Sequence, residues 1–246
     1  MDYLARESSP FENDFWRNID KTVIETASRT LIGRRFLNIY GPLGSGTISV
    51  QYDKNNREEV FENGIVKTSG RKSVELPQLY EDFTLLWRDI ENNEKNKLPL
   101  DLSVVSSAAQ NLANIEDNLI FYGNEFLSVE GILNAKGTQK LKLSDWGAGE
   151  NPYKDIVKAI NMITEKGIVG KITLCLSRGL YFDLQRIQQG TGMTEAQRIS
   201  SMIGNLFNVS VIKKKTCRNL RRTSIYRFGY RNRYFNGLFG TERFKS

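Results

Sequence analysis

Histidine is absent from all 246 residues. That removes the commonest general base, the commonest metal ligand and every serine–histidine triad. Cysteine is nearly absent: Cys175 and Cys217 are the only two, far apart in the chain. Two distant thiols make neither a disulfide framework nor a redox motif, and a zinc site needs more ligands of this kind. No catalytic residue and no metal site is expected, although a carboxylate-only site stays open. No apolar run approaches the roughly 18 residues that span a bilayer. The first residues carry Asp2, Arg6 and Glu7 without an apolar stretch. A cytoplasmic protein with no membrane partner is the expectation.

Hydrophobic residues make up 39% of the chain and charged residues 26%, which fits a globular protein with one large or two small domains. The net charge of +7 is unevenly placed. Residues 213–246 hold eleven Lys or Arg against a single acid, Glu242, while the first 212 residues hold 24 basic and 27 acidic side chains. The body is mildly acidic, so it gives no reason to expect nucleic acid as a partner.

Alternating helices and strands predict a mixed α+β protein. Residues 1–12 read as an extended arm. A helix is expected over 13–32, capped by Asn13 and ended by Gly33 in a left-handed conformation. Trp16, Ile19, Val23, Ala27 and Leu31 share one face of it, either as core or as a face that also receives a partner peptide. Residues 35–40 and 47–52 read as strands joined by Gly-Pro-Leu-Gly-Ser-Gly. No Lys follows the last Gly, so the segment reads as a turn rather than a phosphate loop. Residues 53–75, interrupted at Asn63-Gly64 and Ser69-Gly70, read as a long hairpin or a surface loop. A lone two-stranded ribbon is marginal in water, and its edges need covering by another chain.

Further on, a long helix is expected over 102–122, with Leu102, Val105, Ala109, Leu112, Ile115, Leu119 and Phe121 apolar. Strand and turn follow over 124–144, a helix over 154–166 and a buried strand over 172–176. More helix surrounds the polar loop Gln188-Gln189-Gly190-Thr191-Gly192.

Gly33-Arg34-Arg35-Phe36-Leu37-Asn38-Ile39-Tyr40-Gly41-Pro42-Leu43-Gly44-Ser45-Gly46, preceded by a helix with Phe15, Trp16, Ile19 and Asp20, resembles the opening of the encapsulins. These are the linocin-like shell proteins of bacterial nanocompartments. Three later blocks extend the resemblance in order: Leu76-Pro77-Gln78-Leu79-Tyr80 to Trp87-Arg88-Asp89; Glu116 to Gly123 with Gly131-Ile132-Leu133; and Tyr153-Lys154-Asp155-Ile156 through Gly167 to Thr173-Leu174.

The resemblance implies the tailed-phage major capsid (Hong Kong 97-type) fold. Its parts would be an N-terminal arm, helix and first strands over 1–52 and an extended loop hairpin over 53–75. A peripheral domain with the spine helix would take 76–125 and 211–246, and an axial domain 126–210. It implies no enzyme activity, but a homo-oligomeric icosahedral shell around cargo, a ferritin-like iron protein or a dye-decolorising peroxidase, docked by a short targeting peptide. Carried over by position, Ile24, Leu31, Arg34 and Asn38 would line the docking groove; an ordinary ion pair is the other reading of Arg34. Gln188, Gln189, Gly190, Thr191 and Gly192 would line a five-fold pore, or be simply an exposed loop. Trp87 stands where some relatives place a tryptophan beside flavin; core packing is the other reading. No cofactor is required.

After Ile212 the resemblance stops. One reading of 213–246 is a basic–aromatic tail, able to bind nucleic acid through phosphates and stacking. The other is a shifted reading frame: codons can be chosen for Tyr230 to Leu238 so that another frame reads like the family's strand. The competing functions are a phage-type capsid or nucleic-acid binder using that tail, and a linocin-like bacteriocin.

Overall fold

The computed structural model describes residues 6–213 except 45, 61–63, 97, 136, 137, 168, 169, 189 and 191, with backbone alone for 52–60 and 67–72. Both readings of the basic C-terminal segment lie outside the described residues from 214 onward. The chain divides into two compact units, one of residues 1–31 and 78–118, the other of 32–77 and 119–246.

In the first unit a single 3-10 turn, Arg6–Ser8, precedes α1, Asn13–Thr30. Arg6 forks onto Asp20 at 2.7 and 2.8 Å and lies 5.1 Å over the Trp16 ring. Phe11 stacks on Phe15 at 4.5 Å, and Trp16 meets both edge-on. The arm is thus folded back on its own helix by one bidentate ion pair and an aromatic cluster. The expected stripe is borne out: Ile19 is buried and Trp16, Val23, Ala27 and Leu31 are half-buried. Its ends differ from expectation. Asn13 is already helical and Glu12 is the N-cap, without a side-chain cap bond. A carboxylate there still favours the positive end of the helix dipole.

The same unit contains α3, Trp87–Asn96, with Ile90 buried, and most of α4, Ser103–Tyr122. Asp101 accepts from the Ser103 amide at 2.8 Å and its hydroxyl at 3.1 Å, which holds its carboxyl below the usual range. Thr26 and Ser106 tie α1 to α4 at 3.1 Å. The α4 face departs from the expected stripe in one turn: Ile115 is exposed, while Ala113, Glu116 and Asp117 are buried.

The second unit opens with α2, Gly33–Phe36. This corrects two expectations. Gly33 starts a helical turn instead of ending α1, and no strand occupies 35–40. Local bonds from Arg35 N–H to Ile32 O and from Leu37 N–H to Gly33 O close the turn, and a ladder partner for 37–40 is absent among the described residues.

Next comes an antiparallel hairpin, β1 Ser49–Val60 and β2 Val66–Glu75. It pairs Ser49 with Glu75 and Val60 with Val66, with a register shift between Asp53 and Arg57. The expected hairpin is present and begins earlier than 53, absorbing the strand expected at 47–52.

At the far end of α4 a small hairpin, β3 Gly123–Asn124 and β4 Val129–Glu130, turns the chain back. The amides of Ile132 and Leu133 then donate to the carbonyls of Ile120 and Phe121 at 2.9 and 2.8 Å. Carbonyls orphaned at the helix end are thereby satisfied. The return needs two backbones in near contact. A Cβ on Gly131 would stand 2.1 Å from the Gly123 nitrogen, and one on Gly123 would stand 2.2 Å from the Val129 oxygen.

The remaining elements are α5 Asn151–Thr164, β5 Thr173–Leu176, α6 Arg178–Asp183, α7 Glu195–Ser200 and β6 Asn205–Asn208. β5 and β6 pair in parallel, Leu174 opposite Leu206. Two buried clusters flank β5. One gathers Leu174 and Leu176 with Trp146, Ile156, Leu184 and Ile199. The other gathers Cys175 with Phe121, Ile132, Val209 and Val211. The Tyr122 hydroxyl donates to Val211 O at 3.3 Å and fastens the last described residues to the end of α4.

Gly131→Ala is expected to cost about 3 kcal/mol or more, because backbone on both sides leaves the new methyl nowhere to go. Urea unfolding followed by tryptophan fluorescence measures it; an unchanged midpoint would contradict the close approach.

Candidate functional site

The polar loop at 188–192 stands on two closely tied feet in the second unit. Ile187 and Thr194 form an antiparallel bridge, Gln188 N–H donates to Met193 O at 3.0 Å, and Glu195 N–H donates to Arg186 O at 3.2 Å. Thr194 also begins α7 with a capping box, exchanging bonds with Gln197. These bonds bring the two ends of the loop together. Gly190 and Gly192 adopt φ of +87° and +67°, a region that favours glycine. Gln189 and Thr191 lie outside the described residues.

Beneath the feet lies a polar cluster drawn from three segments. Glu150, the N-cap of α5, accepts from Gln188 Nε2 and from the Arg198 guanidinium, the latter at 3.2 Å. Arg198 also donates to Gln188 Oε1 and lies 4.4 Å over the Tyr153 ring. Arg186 donates to the carbonyls of Trp146, of Gly147 at 2.6 Å and of Asp183 at 3.0 Å. Gln188, expected to line a passage, is half-buried and held from below.

Two buried carboxylates nearby have opposite surroundings. Asp155 Oδ2 accepts from the Ser144 amide and hydroxyl, both at 2.7 Å, and from Trp146 Nε1 at 3.0 Å. Glu195 is only 3% exposed, and its Oε2 has no hydrogen-bond partner among the described residues. Burial pushes the Glu195 carboxyl above the ordinary range; Arg186 and Arg198 draw it part of the way back, and Glu150 adds to the rise.

The four positions carried over for peptide docking are divided between the units. Ile24 is an exposed residue of α1 and Leu31 its half-buried C-cap, both in the first unit. Arg34, half-buried in α2, and Asn38, exposed just beyond it, belong to the second. Trp87 opens α3 at 67% exposure, which removes core packing as its role.

A feature not anticipated from sequence lies within the first unit: a cleft of about 860 Å³ between α1 and α3. Phe11, Phe15, Ile90 and Leu100 supply apolar walls, and Glu12, Asp14, Glu25 and Glu94 an acidic rim. Phe11, Phe15, Asn18, Thr22 and Glu25 all line it, and their spacing of three and four is the signal that could have found it. Among the described residues there is no cluster of metal-binding side chains, and no helix is long and apolar enough to cross a membrane.

The described residues combine a long hairpin, a twenty-residue helix with a turned-back end and a pair of parallel strands in a mixed α+β fold. The fold is similar to that of a virus-like particle from Pyrococcus furiosus, with a TM-score of 0.57 at 19% identity, over 80% of this chain and 75% of that one. This is the Hong Kong 97-type capsid fold. The Linocin_M18 family, described as "Encapsulating protein for peroxidase", matches residues 1–217. The type 1 encapsulin shell protein EncA of Myxococcus xanthus is 37% identical over 209 residues, covering 82% of this chain and 73% of that protein. A diheme-cytochrome–encapsulin shell fusion protein of Kuenenia stuttgartiensis is 34% identical over 207 residues, covering 81% of this chain and 57% of that protein. The chain belongs to the encapsulin family, as a type 1 shell protein. Its role is structural and not enzymatic.

Glu195 supplies a test of the polar cluster. Its raised pKa means that its contribution to stability is complete below the unfolded value of 4.5 and is lost as pH rises through the folded value. Glu195→Gln should therefore melt higher than the native chain near about pH 8, and the gap should close towards about pH 4. Thermal melts across that range read it; a gap that does not vary with pH would overturn the assignment.

Proposed function

We propose that copies of this chain assemble into a closed icosahedral cage that encloses a cargo enzyme. The observation that carries this reading is the long hairpin within a chain matched to the family over 1–217. Among the described residues neither outer edge of the two-stranded ribbon is paired, and Ile48, Ile65 and Val66 are exposed on or beside it. Laying the ribbon across a neighbour, with its edges added to that neighbour's sheet, satisfies both liabilities. On this reading 53–75 is the extended loop, 76–125 with 211–246 the peripheral domain, and 126–210 the axial domain.

The cargo is an oxidative or iron-handling enzyme, a peroxidase or ferritin-like protein, carrying a short docking peptide. The family's printed description names a peroxidase, and the Kuenenia relative carries a diheme cytochrome in the same chain. Ile24 and Leu31 would take the peptide's apolar anchors, and Arg34 and Asn38 its polar groups. The narrow loop 188–192 would surround the five-fold passage. We place the cage in the cytoplasm, without bound nucleic acid.

Sixty copies of a 28.1 kDa chain weigh about 1.7 MDa. Size-exclusion chromatography with light scattering on the untagged chain should show one species of that mass or a simple multiple. A persistent monomer would overturn the reading. Removal of 53–75 is expected to reduce the cage to small oligomers in the same measurement; intact cages would show that the hairpin is dispensable.

A flavin against Trp87 is a second reading, supported by the indole's 67% exposure, which leaves a ring face free for stacking. That face is the part of a flavin site these residues supply. If it binds, purified protein should carry the visible absorbance of a flavin, and Trp87→Ala should lose it; a colourless native protein reconstituted with excess flavin would end this reading.

A further inference from the structure

We infer that the cleft between α1 and α3 in the first unit is a docking groove for a short basic peptide with apolar anchors, presented by a partner protein. The inference stands apart from the cage reading and from the four docking positions given above. On a helix of 3.6 residues per turn, Ile24 and Leu31 lie about 120° or more around α1 from the middle of the face that lines the cleft. The cleft is therefore a second surface of α1.

Its shape selects a peptide. Asp14, Phe15, Asn18, Lys21, Thr22 and Glu25 line it over three turns of α1, a run of about 16 Å. That is the length of about five extended residues. Phe11 and Phe15, stacked at 4.5 Å, give it an apolar wall, to which Ile90, Leu100 and Leu102 add. Apolar anchors would seat there. Two of the polar groups in the lining are already spent: Thr22 donates to Asn18 O at 2.9 Å, and Asn93 to Leu98 O at 2.5 Å. The side-chain amide of Asn18 has no partner among the described residues, so it is free to bond a peptide backbone.

Charge selects the sign of the occupant. Glu12, Glu25 and Glu94 are exposed and have no ion-pair partner among the described residues, whereas Asp14 is held by Arg17 at 2.8 Å. Lys21 is the one basic side chain in the lining. Negative charge around an apolar floor is complemented by a segment with apolar anchors and flanking cations. The first 212 residues of a second copy are themselves mildly acidic, so the body of another shell subunit is a poor match.

The probe is a fluorescent six-residue peptide of alternating lysine and leucine, titrated against the full chain and read by anisotropy. Binding should saturate, and the double variant Glu25→Lys/Glu94→Lys should bind about tenfold more weakly. Asp82→Lys, an equal change of charge per site at an exposed position outside the cleft, should bind like the native chain. Adding the probe to the native chain should also slow hydrogen exchange along 14–25 and 87–96, a readout that needs no variant to fold.

Four outcomes overturn the inference. A lysine–serine peptide that binds as well would show that charge alone is at work. An equal loss in Asp82→Lys would show general attraction to an acidic surface. A loss in Ile24→Lys, with Glu25→Lys/Glu94→Lys unaffected, would place the peptide on the docking positions instead. Uptake by dissociated chain but not by cages would assign the cleft to a neighbouring copy rather than to a partner.

Discussion

All four residues of β5, Thr173 to Leu176, are buried, and the second unit is organised around that constraint. Successive side chains of a strand point to opposite faces. Leu174 and Leu176 enter the cluster built by α5, α6 and α7, while Cys175 enters the one built by the end of α4 and the segment after β6. Burying a leucine contributes roughly 1.5–3 kcal/mol. A slip of one residue would send both leucines to the wrong side, so register is strongly specified. The parallel pairing with β6 continues that order, and Val209 N–H extends it by donating to Leu176 O at 2.9 Å. The polar loop lies between these two strands in sequence, with its feet at Ile187 and Thr194.

Apolar packing fixes where the elements lie, and polar knots fix what the loops between them do. Asp155 shows the economical form. Three donors converge on one oxygen, so a buried carboxyl group with its hydrogen bonds satisfied holds 144–146 against α5. Glu195 shows the other form. It is equally buried and begins α7, but one oxygen has no partner among the described residues, and the arginines beside it are committed elsewhere. A carboxylate in that position weakens the native state when ionised.

Much of this architecture was legible in the sequence. The spine helix was read at 102–122 and observed at Ser103–Tyr122 because its apolar period persists for five turns. β5 was read from a short apolar run, which is the mark of a strand buried on both faces. The hairpin was read from its Asn-Gly turn. What failed was local pattern without tertiary context. α3 contains one buried apolar residue, Ile90, among charges and asparagines, too sparse a stripe to announce a helix. Residues 35–40 look like a strand but have no ladder partner among the described residues, so the first of them close a helical turn instead. The loop was legible from its glycines. The cluster beneath it was not, because Glu150, Gln188 and Arg198 are brought together only by the packing of α5 and α7. The docking positions came by resemblance, and of the four only Leu31 also lies on the apolar stripe read along α1.

The exposed apolar side chains of the second unit bear on how such a chain can be stable at all. Ile39, Tyr40, Ile48, Ile65 and Val66 are open to solvent on the hairpin and the segment leading into it, while Phe126, Phe182, Ile187 and Met193 are open elsewhere in the unit. Single exposed apolar residues need no explanation, but a run of them beside an unpaired ribbon does. An isolated ribbon is marginal in water, because its hydrogen bonds and side chains gain little from so small an interface. The unit buries a core around β5 and leaves apolar side chains exposed beside the ribbon. On the proposed reading, covering that surface with a neighbour would add strand pairing and apolar burial together, and a shell would repeat the same gain at every subunit. Stability of the ribbon then becomes a property of protein concentration and assembly rather than of one chain.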